Sequence, residues 1–309
     1  MLTLAGTSWS FDRASVHLKE FCHVAVSDDT IERVCQEEGQ GAASWMGQSQ
    51  QPVKAFAKAA GQVEFSSDGV KINTTGGWRE MRLSVLAKRE AAEPCEPQDW
   101  DKRVLNEPTV RLACCKIGKA GHVGAQWGRL CRRMKLKEEP AVHVIADGAK
   151  WIWEQAAVRL PKHNAVWNVD VYHVSQHLHE CARRMLGEGA AARAWADERL
   201  MHALQCNGPS LIEWLESEEA GSAQRDGESI AGLLSYLREN RDRMWYRDRL
   251  RDGLPIGSGL IEGACKNTIG VRLKANNARW RIRRAERIGA LRCLDSSNFW
   301  EAYWSSRAA

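Results

Sequence analysis

The chain has no apolar run approaching the roughly 18 residues that a membrane span needs, so a membrane partner is not expected. It has no Cys-x-x-Cys and no His-Glu-x-x-His, so neither a paired-thiol zinc site nor a zinc-hydrolase helix is indicated. Phe and Tyr are scarce, at 5 and 4 of 309 residues. No internal repeat or low-complexity tract is visible, so the chain is read as globular. Met1 to Ser10 lacks both a basic start and a long apolar stretch, and no secretory leader is read there. Ten cysteines (Cys22, Cys35, Cys95, Cys114, Cys115, Cys131, Cys181, Cys206, Cys265 and Cys293) are scattered without pairing logic. A cytoplasmic protein with its thiols as small core residues is the expectation.

What is abundant is Trp, with 14 residues. Trp carries large buried area with one polar N–H, and it is also a platform for stacking bases. Most of these are expected in the core. The overall charge is a modest +5, but residues 241–292 hold 14 Arg and Lys against 5 Asp and Glu. That segment's +9, set against +5 overall, leaves −4 for the rest of the chain. Such asymmetry favours a polyanionic partner over a merely solvated helix face.

The first 60 residues read as helices. Phe11, Ala14, Leu18 and Phe21 share a face of one. A second is expected from the N-cap candidate Ser27 to Gly39. The pair resembles a helix-turn-helix, compatible with DNA contact or with simple packing, and its acids argue against a strong grip on DNA. Residues 63–72 and 78–87 alternate as strands across an Asn73-Thr-Thr-Gly-Gly77 turn, and residues 109–117 form a third strand. Then come a helix within 119–136, a strand at 141–146, a helix at 149–159, a fifth strand at 165–170 and a helix from His173. Hairpin strands followed by strand–helix alternation predict an α/β fold with a mixed five-stranded sheet flanked by helices, the order of the ribonuclease H-like fold. The expected organisation is an N-terminal helical region (1–60), the first part of the core (61–174), an all-helical insertion (175–254) with breaks at 187–189, 207–209 and 220–227, and a final helix with a basic tail (255–309).

Asp68 lies in the first strand before Gly69, and Asp147 closes the fourth before Gly148. Glu262 is the one acid in the apolar stretch that follows Gly257. Asp-Gly is first of all a turn signal, and a lone Glu near a helix start can simply interact with the dipole. Three such acids on two strands and a helix read differently. Close carboxylates repel unless cations neutralise them. Two Mg²⁺ (or Mn²⁺) ions do so with oxygen ligands, and can serve an in-line phosphoryl displacement. Asp170 and His173 form an Asp-x-x-His pair in which the acid can fix the imidazole tautomer. Its plainer reading is an N-cap beside a structural His. His173, His177, His179 and Cys181 lack a zinc spacing.

Asp68-Gly, Trp78-Arg-Glu, Asp147-Gly-Ala-Lys-Trp-Ile-Trp, Asp170-x-x-His, Arg243-Met-x-Tyr246, Gly253-Leu-Pro-Ile-Gly-Ser-Gly-Leu-Ile-Glu-Gly-Ala-Cys-Lys266 and Arg272-Leu-Lys274 together resemble the bacterial insertion-sequence transposases of the ISKra type, relatives of the Mutator-like DDE transposases. The resemblance spans roughly residues 10–304. It implies a ribonuclease H-like core in which Asp68, Asp147 and Glu262 bind two Mg²⁺ or Mn²⁺ ions, with Asp170 and His173 as an accessory catalytic pair. It also implies cleavage at the ends of a DNA element and transfer to target DNA, by a homo-oligomer assembled on DNA. Lys266, Arg272, Lys274, Arg279, Arg281, Arg283 and Arg284 are then the expected phosphate contacts. For Trp280, a core role is favoured over base stacking. Members of that family commonly carry a longer N-terminal region, which leaves a second reading open: a truncated, non-catalytic DNA-binding remnant. The segment 274–280 also departs from the family's pattern.

Overall fold

A computed structural model describes residues 1–221, 224–274 and 278–308. It has helices α1 (Leu2–Ser8), α2 (Phe11–Cys22), α3 (Asp28–Gln48) and α4 (Gln50–Lys58), then the hairpin β1 (Gln62–Thr74) and β2 (Gly77–Arg89). After β3 (Val110–Ile117) come α5 (Ala120–Arg133), β4 (Val142–Ala146), α6 (Lys150–Arg159), β5 (Ala165–Val169) and α7 (Val171–Leu186). The sheet order is β3-β2-β1-β4-β5. The pairs β1–β2 and β2–β3 are antiparallel, whereas β1–β4 and β4–β5 are parallel. The expected mixed five-stranded sheet flanked by helices is therefore what forms. Among the described residues no helix is long and apolar enough to cross a membrane.

The alternation read in β1 and β2 places apolar side chains on both faces, since helices cover both. On one face Phe65 meets Trp127 of α5 edge-on, and the indole donates to Ser84 Oγ at 2.7 Å. On the other, Met81 and Leu83 are fully buried, with Gly289 of α13 (Ile282–Ser296) close to the Met81 sulfur. Trp127, Trp153 and Trp280 are core residues, but Trp9, Trp78 and Trp245 are exposed.

Two N-terminal expectations are corrected. Ser27 does cap α3, accepting from the Thr30 amide, but the helix runs through Gly39 to Gln48. A side chain at Gly39 would meet the Arg287 carbonyl at 2.5 Å, so this glycine lets α13 approach closely and does not end the helix. Phe21 is 71% exposed and stacks on His17, because nothing covers the last turn of α2. The helical pair packs on the C-terminal part of the chain, with Glu32 paired to Arg284 and Glu38 accepting from the Tyr303 hydroxyl.

The segment after α7 is helical as expected. It comprises α8 (Ala190–Gly221), α9 (Gln224–Glu239) and α10 (Tyr246–Arg251). The break at 207–209 is a kink at Asn207, whose φ is 67°. The break at 187–189 separates α7 from α8, and the third, 220–227, includes residues 222–223, outside the described residues. The chain returns to the sheet through residues 255–258, where the Ile256 carbonyl accepts from Val171 N and from Asn168 Nδ2. Next come α11 (Gly259–Ala264), a π-helical turn (Cys265–Gly270), α12 (Val271–Leu273) and, after α13, α14 (Trp300–Ala308).

Candidate active site

The ends of the parallel strands bring three acids into line. β1 pairs with β4 up to Ser66↔Ile145, and β4 with β5 up to Ala146↔Val169. Carrying these registers forward sets Asp68 beside Asp147, and Asp147 beside Asp170. Neighbouring strands lie about 4.8 Å apart, and paired residues point to the same face. Ligand sites of parallel sheets characteristically lie at these carboxyl ends. Gly148, at φ 92°, turns the chain sharply after Asp147, and Ala149 N donates to Asp147 Oδ1 at 2.9 Å. Gly69 N donates to Asp68 Oδ1 at 2.5 Å. Each of these two carboxylates thus keeps its second oxygen for another partner.

Burial, and then the negative charge of Asp147, raise the Asp68 carboxyl above the ordinary carboxylate range, although the Gly69 amide pulls the other way. A buried acid facing a second acid is a pair in want of a cation. The chemistry of the donors, hard carboxylate oxygens, suits Mg²⁺ or Mn²⁺.

Asp170 is built differently. It is fully buried, and it both caps α7 and holds the Asp-x-x-His pair together. Its Oδ1 accepts from Tyr172 N at 3.0 Å. Its Oδ2 accepts from Ser258 Oγ at 2.6 Å and faces His173 Nδ1 at 3.1 Å. Burial disfavours the carboxylate, but these hydrogen bonds outweigh it and leave the acid stronger than usual. With Nδ1 committed to Asp170, Nε2 of His173 is the nitrogen left for a substrate. The Asp170 hydrogen bond, supported by the charges of Asp147 and Glu262, raises the His173 pKa above its ordinary value.

Glu262 reaches this group from α11. Ser258 stands four residues earlier and donates within reach of both Asp170 and Glu262 Oε1, the latter at 3.1 Å. Ligand atoms of Asp170, His173 and Glu262 all lie within 4.8 Å of one another. That is the one group of three or more His, Cys, Asp or Glu so gathered among the described residues, and it does not include Asp68 or Asp147. Cys265 connects the two halves: its thiol hydrogen-bonds toward Asp68 and feels the charge of Glu262 as well. Burial, then these acids, push that thiol far up, so it stays protonated.

Ser258, Cys265 and Tyr236 are site residues that were not singled out from the sequence. Tyr236 of α9 packs at a tilt on His177 with centroids 3.8 Å apart, and its buried hydroxyl has no hydrogen-bond partner among the described residues. The hydroxyl lies against Gly148 and within the fields of Asp147 and Asp170. Ser258 had a signal, since a hydroxyl at i−4 from Glu262 on one helical face can touch it.

The expected phosphate contacts divide. Lys266, Lys274, Arg279, Arg281 and Arg283 are exposed. Arg284 is exposed but spends its charge on Glu32. Arg272 is not a surface cation. It is 4% exposed, donates to the Gly6 carbonyl and packs over the rings of Phe11 and Trp280, which meet each other edge-on. Burial lowers its pKa to about 10. Trp280 is core, as expected, with its indole donating to the Leu273 carbonyl. Residues 275–277, part of the departing segment, lie outside the described residues. No protein-family model matches this chain, and no curated protein matches it significantly.

Proposed function

We propose that the chain is a DDE transposase, cleaving DNA at the ends of an insertion sequence and transferring the strand to target DNA, on a ribonuclease H-like core. The observation that carries this reading is the register that aligns Asp68, Asp147 and Asp170 along adjacent parallel strands, with α11 delivering Glu262 beside Asp170 and His173. The strand order and the mixed pairing agree with that core.

Asp68 and Asp147 are the carboxylates suited to hold Mg²⁺ or Mn²⁺, with Glu262 as the third donor. Two such ions would supply Lewis acidity and neutralise the charge of an in-line displacement at phosphorus. The protein's own groups do the rest. Asp170 holds His173 in one orientation and tautomer, and the His173 Nε2–H binds a non-bridging oxygen of the scissile phosphate. Ser258 ties α11 to that pair, so Glu262 and His173 face the substrate as a unit. Lys266 and the exposed arginines bind the phosphates on either side.

The test is cleavage of DNA carrying the element's terminal repeats, with and without Mg²⁺, for the wild type, Asp147→Asn and Glu262→Gln. Metal-dependent nicking that both substitutions abolish is expected. Undiminished nicking by Asp147→Asn refutes the mechanism. A second reading, a non-catalytic DNA-binding remnant, draws on the grouping of Glu262 with Asp170 and His173 apart from Asp68 and Asp147. It predicts repeat-specific binding with no metal-dependent cleavage.

A further inference from the structure

The β1–β2 hairpin outruns the rest of the sheet. The described pairings of β1 with β4 end at Ser66, but β1 continues to Thr74 paired with β2, joined at its end by a bridge to Trp280. Asp68 marks the level of the acids, and Asn73, the partner of Trp78, lies five residues further on. At about 3.3 Å per residue the tip stands roughly 17 Å beyond the acidic site.

The tip carries an unusual side chain for this protein. Trp78 is 65% exposed, while most other Trp residues are buried or half-buried. It makes no ring contact with any described residue. Exposed cations lie on the same hairpin, Lys71 on the face of Trp78 and Arg79 on the opposite one, and Arg279 and Arg281 lie on the segment strapped to it. The strap is a backbone connection. Thr75 N donates to the Trp280 carbonyl at 2.9 Å, and Trp280 N donates to the Asn73 carbonyl at 3.0 Å. These four cations form no ion pair among the described residues. Of the acids of this region, Glu80 faces Lys71 across the hairpin and is held by Arg82, while Asp12, Asp28 and Glu32 line the groove on the α2–α3 side, where Glu32 is taken by Arg284.

A solvated indole on this tip gains little from burial within the described chain, and a partner that covered it would supply that gain. A flat aromatic amid unpaired cations has the chemistry of a nucleic-acid platform: the cations meet phosphates, and the ring stacks on any base whose own stack is open. We propose that the hairpin tip is a second DNA-contact surface, with Trp78 stacking on an unpaired base and Lys71, Arg79, Arg279 and Arg281 holding the backbone that leads to it. The inference rests on the DNA-cleaving reading and adds a geometry to it. At about 3.4 Å per nucleotide, a tip roughly 17 Å from the acids meets the strand about five nucleotides from the scissile phosphate.

The test uses the full chain and a DNA duplex bearing the element's terminal repeat with a single-stranded overhang, carrying 2-aminopurine at one overhang position at a time. Wild type is expected to quench the probe most strongly about five nucleotides from the cleavage position. Trp78→Ala should abolish that quenching and weaken binding about 5- to 150-fold, the range of one lost stacking contact, whereas Trp78→Phe should retain part of both. Lys71→Ala with Arg79→Ala should lower the salt dependence of binding by about two counterions and leave the quenching position unchanged. Equal binding and quenching by wild type and Trp78→Ala would overturn the hairpin assignment while leaving the cleavage reading standing. Loss of affinity without any position-dependent quenching overturns the stacking. A wild-type protein that binds no DNA at all refutes the proposed function itself.

Discussion

Asp170→Asn is the sharpest perturbation of the site, because it preserves shape and inverts chemistry. The wild-type carboxylate accepts at both oxygens: from Tyr172 N at one, and from Ser258 Oγ and His173 at the other. An amide offers one acceptor and one donor group. Whichever way it is turned, its NH2 faces either the Tyr172 amide or the Ser258–His173 pair. A buried donor left without an acceptor costs about 1–3 kcal/mol. Losing a charge-assisted bond adds to this, while removing a buried charge gives part of it back. The net expectation is about 2 kcal/mol of lost stability, read by urea unfolding.

The more specific readout is His173. Its pKa is raised chiefly by the Asp170 hydrogen bond, against the opposing effect of burial. In Asp170→Asn the titration of His173, followed by NMR, should move down in pH. The accompanying loss of cleavage rate should be about 10²–10⁴-fold, the usual contribution of a positioned proton donor. Ser258→Ala removes one bond from the same oxygen and should fall between wild type and Asp170→Asn in stability. If the His173 titration is the same in wild type and Asp170→Asn, the coupling argued for this site is wrong.

Two further predictions concern the frame around the site. His143 on β4 is buried, its Nδ1 faces the Arg249 guanidinium at 3.3 Å, and burial followed by that charge lowers its pKa from the ordinary 6.5 to about 4. A folded-state pKa below the unfolded one gives a contribution that is complete above pH 6.5 and lost as pH falls toward 4. Stability should drop by about 1.4 kcal/mol per pH unit in that window, about 3 kcal/mol in all, and His143→Gln should flatten this part of the curve. Gly253 sits at φ 71°, and a Cβ there would lie 2.0 Å from the Ala92 carbonyl oxygen, so Gly253→Ala should cost about 3 kcal/mol in urea unfolding; a change below about 1 kcal/mol contradicts the close approach.

How legible all this was depended on the range over which each residue acts. The strands, the Ser27 cap and the turn at Asn73 are local, and period-two alternation or cap chemistry marks them directly. Asp147 has a local mark of the same kind, since it directly follows β4 and precedes Gly148, whereas Asp68 lies inside β1, paired with Leu83. Gly39 was misread because a glycine that admits a neighbouring helix looks in sequence like one that ends its own. Arg272 was counted with the surface cations because charge alone does not say where a side chain points. Its contact with both Phe11 and Trp280 joins residues some 260 positions apart, which no local pattern displays.

The same distinction explains how the site is held together. The sheet alone aligns three carboxylates, and burial, followed by the charge of Asp147, raises Asp68, a poor arrangement to fold around. What relieves it comes from the far side of the helical segment. Ile256 closes hydrogen bonds to β5 and α7, and that fixes Ser258 two residues later against Asp170. Tyr236 of the same segment closes over Gly148. The return loop can come this near because Gly257 has no side chain; a Cβ there would touch Tyr172 at 3.0 Å and Asp170 Oδ1 at 3.4 Å. Gly257, Ser258 and the acid that follows them therefore act as one device: a close approach that brings a hydroxyl to Asp170, and through it a helix that presents Glu262.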